Sequence, residues 1–289
     1  MAVVSVVTGA NSGIGRATAL RLAAEGHRVY GTMRSLDKGD KLAQLANGLG
    51  VEVRPVELDV TDTASVERGL GQVLVDAGQV DVLVNNAGVG LNATVEDLDI
   101  EAAKAVMDTN VWGAVRCAQV VLPNMRERGD GHIVNVSSVA GLIAAIGQAA
   151  YSASKWALES ISESMAQELA PFGVKVSIIE PGVTRTAILP KNTGHPTPTA
   201  YDTAYRRMLQ FYAKGIAAAV QPEEVADTIV RALAAEPHRL RWTCAWGGEE
   251  LARGRAALDD AGWIELGRPI DDEDYYDAFA AAFGLDLRT

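Results

Sequence analysis

Residues 3–26 read VVSVVTGANSGIGRATALRLAAEG. The opening valines form an apolar run far too short to span a bilayer and without a cationic flank, and they enter a glycine turn directly, so the run reads as a buried first strand. After the turn Gly13, Ala17, Leu20 and Ala24 recur at the spacing of one helix face, and Gly26 stands where a left-handed helix stop is expected. Between strand and helix, Gly9, Gly13 and Gly15 leave bare backbone that a pyrophosphate can approach, and the helix N-terminus favours its charge. The spacing is TGxxxGxG rather than GxGxxG. A glycine turn alone is a common way into a helix, so its meaning depends on the rest of the chain.

Downstream of Gly26 the chain alternates. HRVYGTM at 27–33, VEVRPVELDV at 51–60, VDVLVNNAG at 80–88, GHIVNVSS at 131–138 and VKVSIIEPG at 174–182 are β-rich, with amphipathic helical stretches between them. One helix starts near Tyr151, carries Leu158, Ile161, Met165 and Leu169 at helical spacing, and stops at Pro171 to Gly173. This pattern predicts an α/β fold, a Rossmann-type doubly wound parallel sheet with helices on both faces. With 289 residues, no internal repeat and no linker rich in Pro, Gly or Ser, the chain reads as a single domain over residues 1–289. Past Thr186 the pattern breaks into ILPKNTGHPTPTAYD and then a helix from about Ala204, so residues 186–222 read as a helical substrate lid. A C-terminal extension, residues 239–289, holds Trp242, Trp246, Trp263, Tyr275, Tyr276, Phe279 and Phe283 among acids. It could cover the mouth of a site or pack against another subunit.

The composition, 48% hydrophobic and 22% charged, is that of an ordinary soluble globular protein. A net charge of -11 repels phosphate backbones and anionic membranes, so neither nucleic acid nor membrane is expected as a partner. Cys117 and Cys244 read as unlinked packing thiols in a reducing compartment, and with no stretch of transmembrane length the expected location is the cytoplasm. His27, His132, His195 and His238 lack metal-ligand spacing, so no metal is expected. His132 and His195 read as surface residues, and Glu180, beside Pro181, as structural.

Chemistry enters with YSASK at 151–155. Tyr151 and Lys155, four apart on a helix, share a face, so the ammonium can sit near the phenol. A free tyrosine titrates around 10, and a nearby positive charge favours the phenolate, which suits a proton exchange with an alcohol or carbonyl oxygen. Ser138 precedes this pair. At the end of the second predicted strand, GTMRS, an NAD binder would place an acid against the ribose 2'-hydroxyl; here Met33 occupies the place and Arg34 comes next. A guanidinium there can pair with a 2'-phosphate, which favours NADP(H) over NAD(H), with Asp37 three residues on as the contrary sign.

Together these stretches resemble the short-chain dehydrogenase/reductase family. TGANSGIG matches its cofactor loop, LDV at 58–60 its adenine-side motif, NNAG at 85–88 its sheet-stabilising motif and YSASK its catalytic signature. Asn110 in DTNVWG, Ser138 in NVSS and Pro181-Gly182 in PGVTRT complete a likeness that runs from about Val3 to Thr186. Within the family, VYGTMRS, NNAGVGL and the helix from Tyr151 look most like the hydroxysteroid and retinol dehydrogenase branch, whereas the tail after Arg239 departs from a minimal member. The resemblance implies a catalytic set of Asn110, Ser138, Tyr151 and Lys155. Tyr151 would be the general acid in reduction and base in oxidation, and Lys155 would lower its pKa and hold the nicotinamide ribose. Ser138 would hold the substrate oxygen with Tyr151, and Asn110 would position a water behind Lys155. Cofactor contacts would come from Gly9, Asn11, Ser12, Gly13, Ile14, Gly15 and Arg34, from Asp59 and Val60 at the adenine, and from Asn86, Ala87 and Gly88 beside it. Tyr151 and Lys155, with Pro181, Gly182, Val183 and Thr186 at the carboxamide, would complete that set. A homodimer or homotetramer is also implied, the helices near 101–128 and 151–170 pairing across a two-fold axis.

Val89, Leu91, Leu142, Ile143, Ile146, Ile188, Leu189, Tyr205, Met208 and Phe211 are candidates for the pocket wall. They are mostly apolar, which suits a hydrophobic small-molecule substrate such as a steroid, retinoid, terpenoid or fatty chain. The expectation is an NADP(H)-dependent oxidoreductase, working toward carbonyl reduction where NADPH is mostly reduced. An NAD(H)-dependent alcohol dehydrogenase of the same fold, or a catalytically silent dinucleotide-sensing or scaffold protein, would share the motifs. The intact Ser138, Tyr151 and Lys155 set speaks against the last.

Overall fold

The structure is a computed structural model that describes residues 2–186, 199–218, 220–268 and 271–288. The first strand, β1 (Val4–Val7), pairs on one side with β2 (Arg28–Met33) through Val6 and Tyr30 and on the other with β4 (Val82–Asn85) through Val6 and Leu83. Every residue of β1 is buried, as a strand covered by helices on both faces must be. With β3 (Val53–Glu57), β5 (Gly131–Val136), β6 (Val174–Pro181) and β7 (Arg241–Cys244) it forms a seven-stranded parallel sheet in the order β3-β2-β1-β4-β5-β6-β7. The chain winds outward from β1 to β3 and then returns to β4 on the other side. At that reversal the connections leave in opposite directions and open a crevice beyond the strands' C-terminal ends.

On one face α1 (Gly13–Ala24) lies along α8 (Pro222–Ala234), burying Leu22, Val29, Val84, Val134, Ile179 and Ile229 in one core. Full burial of such a side chain stabilises the fold by roughly 1.5–3 kcal/mol. Pro222 opens α8 and Glu223 and Glu224 fill its first turn, where a fixed φ and negative charge suit the helix N-terminus. On the other face α3 (Thr63–Ala77), α5 (Gly113–Arg128) and α6 (Ala149–Leu169) cover Leu70, Leu83, Val121, Met125, Ile133 and Met165. Between α4 (Ile100–Met107) and α5 the chain makes one wide π-helical turn, Asp108–Trp112. α2 (Asp40–Leu49) completes the β2–β3 crossover.

Gly26 adopts the left-handed conformation expected of it after α1, at φ 85°, and Gly173 ends the Tyr151 helix at φ 71°. The lid helix, α7 (Asp202–Ala217), starts at Asp202 rather than near Ala204, while Ile188, Leu189 and His195 lie outside the described residues. The segment read as an extension from Arg239 begins inside the sheet, because Arg241–Cys244 is its edge strand, and only then continues into α9 (Gly248–Ala257), α10 (Asp260–Glu265) and α11 (Asp272–Phe283). His132 is not a surface residue. It is buried on β5, bonds the Ser177 hydroxyl at 2.9 Å and meets the His238 ring edge-on, and burial holds it neutral with a pKa lowered to about 3. Among the described residues no helix is long and apolar enough to cross a membrane.

Candidate active site

A cavity of about 1000 Å³ opens at the crevice. One half is built from main chain. Gly9 has φ 66°, and a Cβ there would stand 3.1 Å from the Ala87 Cα. Thr8 fixes this approach, its hydroxyl accepting from the Asn86 and Ala87 N–H groups at 2.9 and 3.0 Å while its carbonyl accepts from Asn86 Nδ2 at 2.8 Å. The NNAG stretch is thereby tied to the glycine loop, and Asn85 ties it onward to Asn135 at 2.9 Å.

Ser12 caps α1 without using its side chain, and no acid stands in the first turn. The exposed N–H groups of that turn, the bare loop and the cavity beside them fit the diphosphate of a dinucleotide. Asn11, Ser12, Gly13, Ile14, Asp59, Val60, Asn86, Ala87, Gly88, Pro181, Gly182, Val183 and Thr186 all line the cavity, as expected from the sequence. Gly15 does not. A Cβ there would fall 2.5 Å from the Gly9 carbonyl oxygen and 2.3 Å from Asn86 Nδ2, so its bareness serves the seating of α1 on the loop rather than ligand contact. Arg34 lines the cavity rim, exposed, with no hydrogen bond or ion pair among the described residues, and Met33 is buried beneath it. Asp37 instead accepts a hydrogen bond from the Ser35 hydroxyl at 3.1 Å.

Where this half meets the other, three expected groups converge. Ser138 ends the β5 segment, its Oγ accepting from the Ala140 N–H at 3.1 Å and donating to the Pro181 carbonyl at 3.3 Å. Tyr151 and Lys155 stand one turn apart on α6 and both line the cavity with Ser138. Lys155 Nζ lies 5.8 Å from the Tyr151 ring centroid and donates to the Val136 carbonyl at 2.9 Å. Burial pushes the Tyr151 phenol up, with the Ser138 hydroxyl opposing the rise. The expected lowering by Lys155 is therefore not what this geometry shows, because the ammonium is turned toward the strand end. Lys155 itself is lowered to about 8 by burial, with Glu159 resisting.

Asn110 does not line the cavity. In the π-helical turn its side chain accepts from the Val89 N–H at 2.8 Å and donates to the Val89 carbonyl at 2.9 Å and to Ser154 Oγ at 3.0 Å. It braces the loop after NNAG against α6.

The remaining half is built from large side chains. Val89, Ile143, Ile146, Met208 and Phe211 line it as the sequence suggested, whereas Leu91, Leu142 and Tyr205 do not. Tyr205 is fully buried and anchors the lid helix instead, donating to Asp97 at 2.9 Å and accepting from the Thr94 N–H at 3.0 Å. The extension roofs this half from within the same chain: Leu251, Trp263, Leu266, Tyr275, Phe279 and Phe283 all face the cavity. Their packing is fixed by side chains, with Arg207 4.4 Å over the Tyr275 ring and 3.0 Å from Asp272, and Arg255 4.9 Å over Trp263. Tyr275, Phe279 and Phe283 share one helical face, a spacing legible in the sequence; Arg207 and Tyr212 carried no such signal. Tyr212 has no hydrogen-bond partner among the described residues, and burial and the neighbouring Tyr151 both push its phenol up.

The sequence model of the family described as short chain dehydrogenase matches residues 3–196. Human 17-beta-hydroxysteroid dehydrogenase type 1 is 39% identical over 252 residues, 83% of this chain and 76% of that protein. Among solved structures, a Burkholderia phymatum short chain dehydrogenase/reductase in complex with NAD superposes with a TM-score of 0.77 at 28% identity, covering 94% of this chain and 97% of its own. A metagenomic short-chain oxidoreductase in complex with NADP does so with a TM-score of 0.66 at 28% identity, covering 84% and 98%.

Proposed function

The chain belongs to the short-chain dehydrogenase family, an oxidoreductase acting between alcohol and carbonyl with a nicotinamide dinucleotide, and from that premise we propose that its cofactor is NADP(H) and its substrate a bulky hydrophobic ketone, aldehyde or secondary alcohol of steroid, retinoid or terpenoid kind. The observation that carries this reading is the placement of Ser138, Tyr151 and Lys155 at the joint between a main-chain cradle and an aromatic roof. A substrate oxygen held at that joint reaches a proton donor while its apolar body lies under Phe211, Trp263 and Phe279.

The nicotinamide, when bound, supplies or accepts the hydride. The chain's own groups manage the oxygen. In the reducing direction Tyr151 donates its phenolic proton as charge grows on the oxygen, and Ser138 holds that oxygen by a hydroxyl hydrogen bond. In oxidation Tyr151 takes the proton back. Lys155, charged below about 8, would help hold the dinucleotide and supply the positive field that favours the phenolate. Arg34 supports the 2'-phosphate reading, since its guanidinium faces the cavity rim unpaired while Asp37 is turned to Ser35.

Nicotinamide absorbance, monitored while the protein and NADPH meet a panel of hydrophobic ketones and aldehydes, tests this directly. Turnover is expected for bulky members and should fall roughly 100-fold or more in Tyr151→Phe, with dinucleotide affinity nearly kept. Unchanged turnover in the variant would refute the role of Tyr151, and silence across the panel beside tight NADPH binding would favour a dinucleotide-sensing protein.

A further inference from the structure

Tyr151, Lys155 and Glu159 succeed one another at single-turn intervals on α6, so a buried carboxylate shares the helix face of the reaction site's ammonium one turn further on. Glu159 is not isolated. Arg241, the first residue of β7, places NH2 3.2 Å from Glu159 Oε2, NH1 2.9 Å from Glu163 Oε1 and Nε 3.1 Å from Glu180 Oε1. One guanidinium thus clamps the helix that carries Tyr151 and Lys155 to the end of β6, whose next residue, Pro181, accepts from the Ser138 hydroxyl.

The cluster holds more negative than positive charge in a dry place. Glu159 is 5% and Glu180 1% exposed, and Glu163 is the member that reaches solvent. Glu159 Oε1 and Ser137 Oγ lie together beneath Gly141, whose Cβ position would stand 3.1 and 2.9 Å from the two atoms. Two buried carboxylates sharing one cation cannot both ionise freely. Burial and the neighbouring Glu159 raise Glu180 to about 7, with Arg241 and Arg239 opposing; burial raises Glu159 too, against Ser137, Arg241 and Lys155. The groups facing this pair are therefore Lys155 and Glu163 on α6, Ser137 after β5, and Arg239 and Arg241 at β7.

Lys155 has Glu159 as its opposing negative charge, the group that resists its loss of a proton on burial. We propose that Glu159 is a positioning residue: its carboxylate, clamped by Arg241, holds Lys155 in the charged ammonium form behind Tyr151. The assignment rests on the roles proposed for Tyr151 and Lys155. Replacing Glu159 by a neutral group then moves the loss of the ammonium to lower pH, whereas replacing Glu180 leaves Lys155 in place although Arg241 loses one carboxylate in either case.

The test is the pH profile of kcat/KM for alcohol oxidation in the wild type, Glu159→Gln, Glu159→Asp and Glu180→Gln, with Tyr151→Phe alongside. Glu159→Gln should move the alkaline limb to lower pH by roughly one pH unit. Glu159→Asp should return it most of the way, and Glu180→Gln should leave it where it was. Acetylation of Lys155 by acetic anhydride, mapped by mass spectrometry against pH, should show the same displacement without any turnover. A Glu159→Gln profile lowered in height but not displaced, or an equal displacement in Glu180→Gln, overturns the assignment while Tyr151→Phe remains silent. Turnover kept in Tyr151→Phe would instead overturn the reading on which it rests.

Discussion

The two halves of the cavity are made of different material. The dinucleotide half is main chain and short polar side chains, Gly9, Ser12, Asn86 and the Thr8 hydroxyl, locked by hydrogen bonds between segments that lie at strand ends. The substrate half is large side chains, Phe211, Trp263, Phe279 and Phe283, brought from a helix between β6 and β7 and from helices after β7. A diphosphate is met by backbone N–H groups, whose placement tolerates no added atom, whereas an apolar body is met by surface area, which can be supplied in many ways. The same protein is rigid in its demands on one side and permissive on the other.

Substitutions that strike one half and spare the other put this contrast at risk. Gly15→Ala should have the largest effect. Its Cβ would stand 2.5 Å from the Gly9 carbonyl, and overpacking of roughly 1–3 kcal/mol should cost tenfold to a hundredfold in affinity for either dinucleotide. Calorimetric titration checks it, and unaltered binding would mean that the loop is not the cradle. Arg34→Asp comes next: loss of a charged pairing should lower the preference for NADPH over NADH roughly tenfold, and equal losses for both would refute the 2'-phosphate assignment. Trp263→Ala should be mildest, raising KM for a bulky ketone roughly severalfold, leaving a small ketone and the dinucleotide Kd unaffected. If it weakened dinucleotide binding as much, the two halves would not be separable.

Legibility in the sequence runs along the same divide. The cradle was readable because its rules are local: bare glycines between a strand and a helix, a helix N-terminus that favours negative charge, a strand ending in Met33-Arg34. Most of its residues line the cavity, and the two that do not, Gly15 and Asn110, act on the frame behind it. The roof was legible only as one of two roles for the tail, since nothing local says that Phe279 turns toward Phe211 across the chain. The missed strand β7 has a simple cause: RWTC is short and half-buried at the sheet edge, without the apolar run that marks an inner strand. His132 was misread because a polar side chain on a buried strand shows itself only through its partner, Ser177 on the next strand.

Among the described residues, α9, α10 and α11 complete no ladder bond of the sheet; from α7, Arg206 and Arg207 reach Asp272 of α11, Arg207 also meets the Asp271 carbonyl, and Gln210 and Lys214 donate to the Leu287 and Arg288 carbonyls beyond α11. A mutation in the roof therefore leaves every strand pairing and the whole glycine loop intact. Such a part can be lengthened or replaced without breaking a bond of the frame below it, so that new selectivities can arise by re-roofing an unchanged chemical workplace.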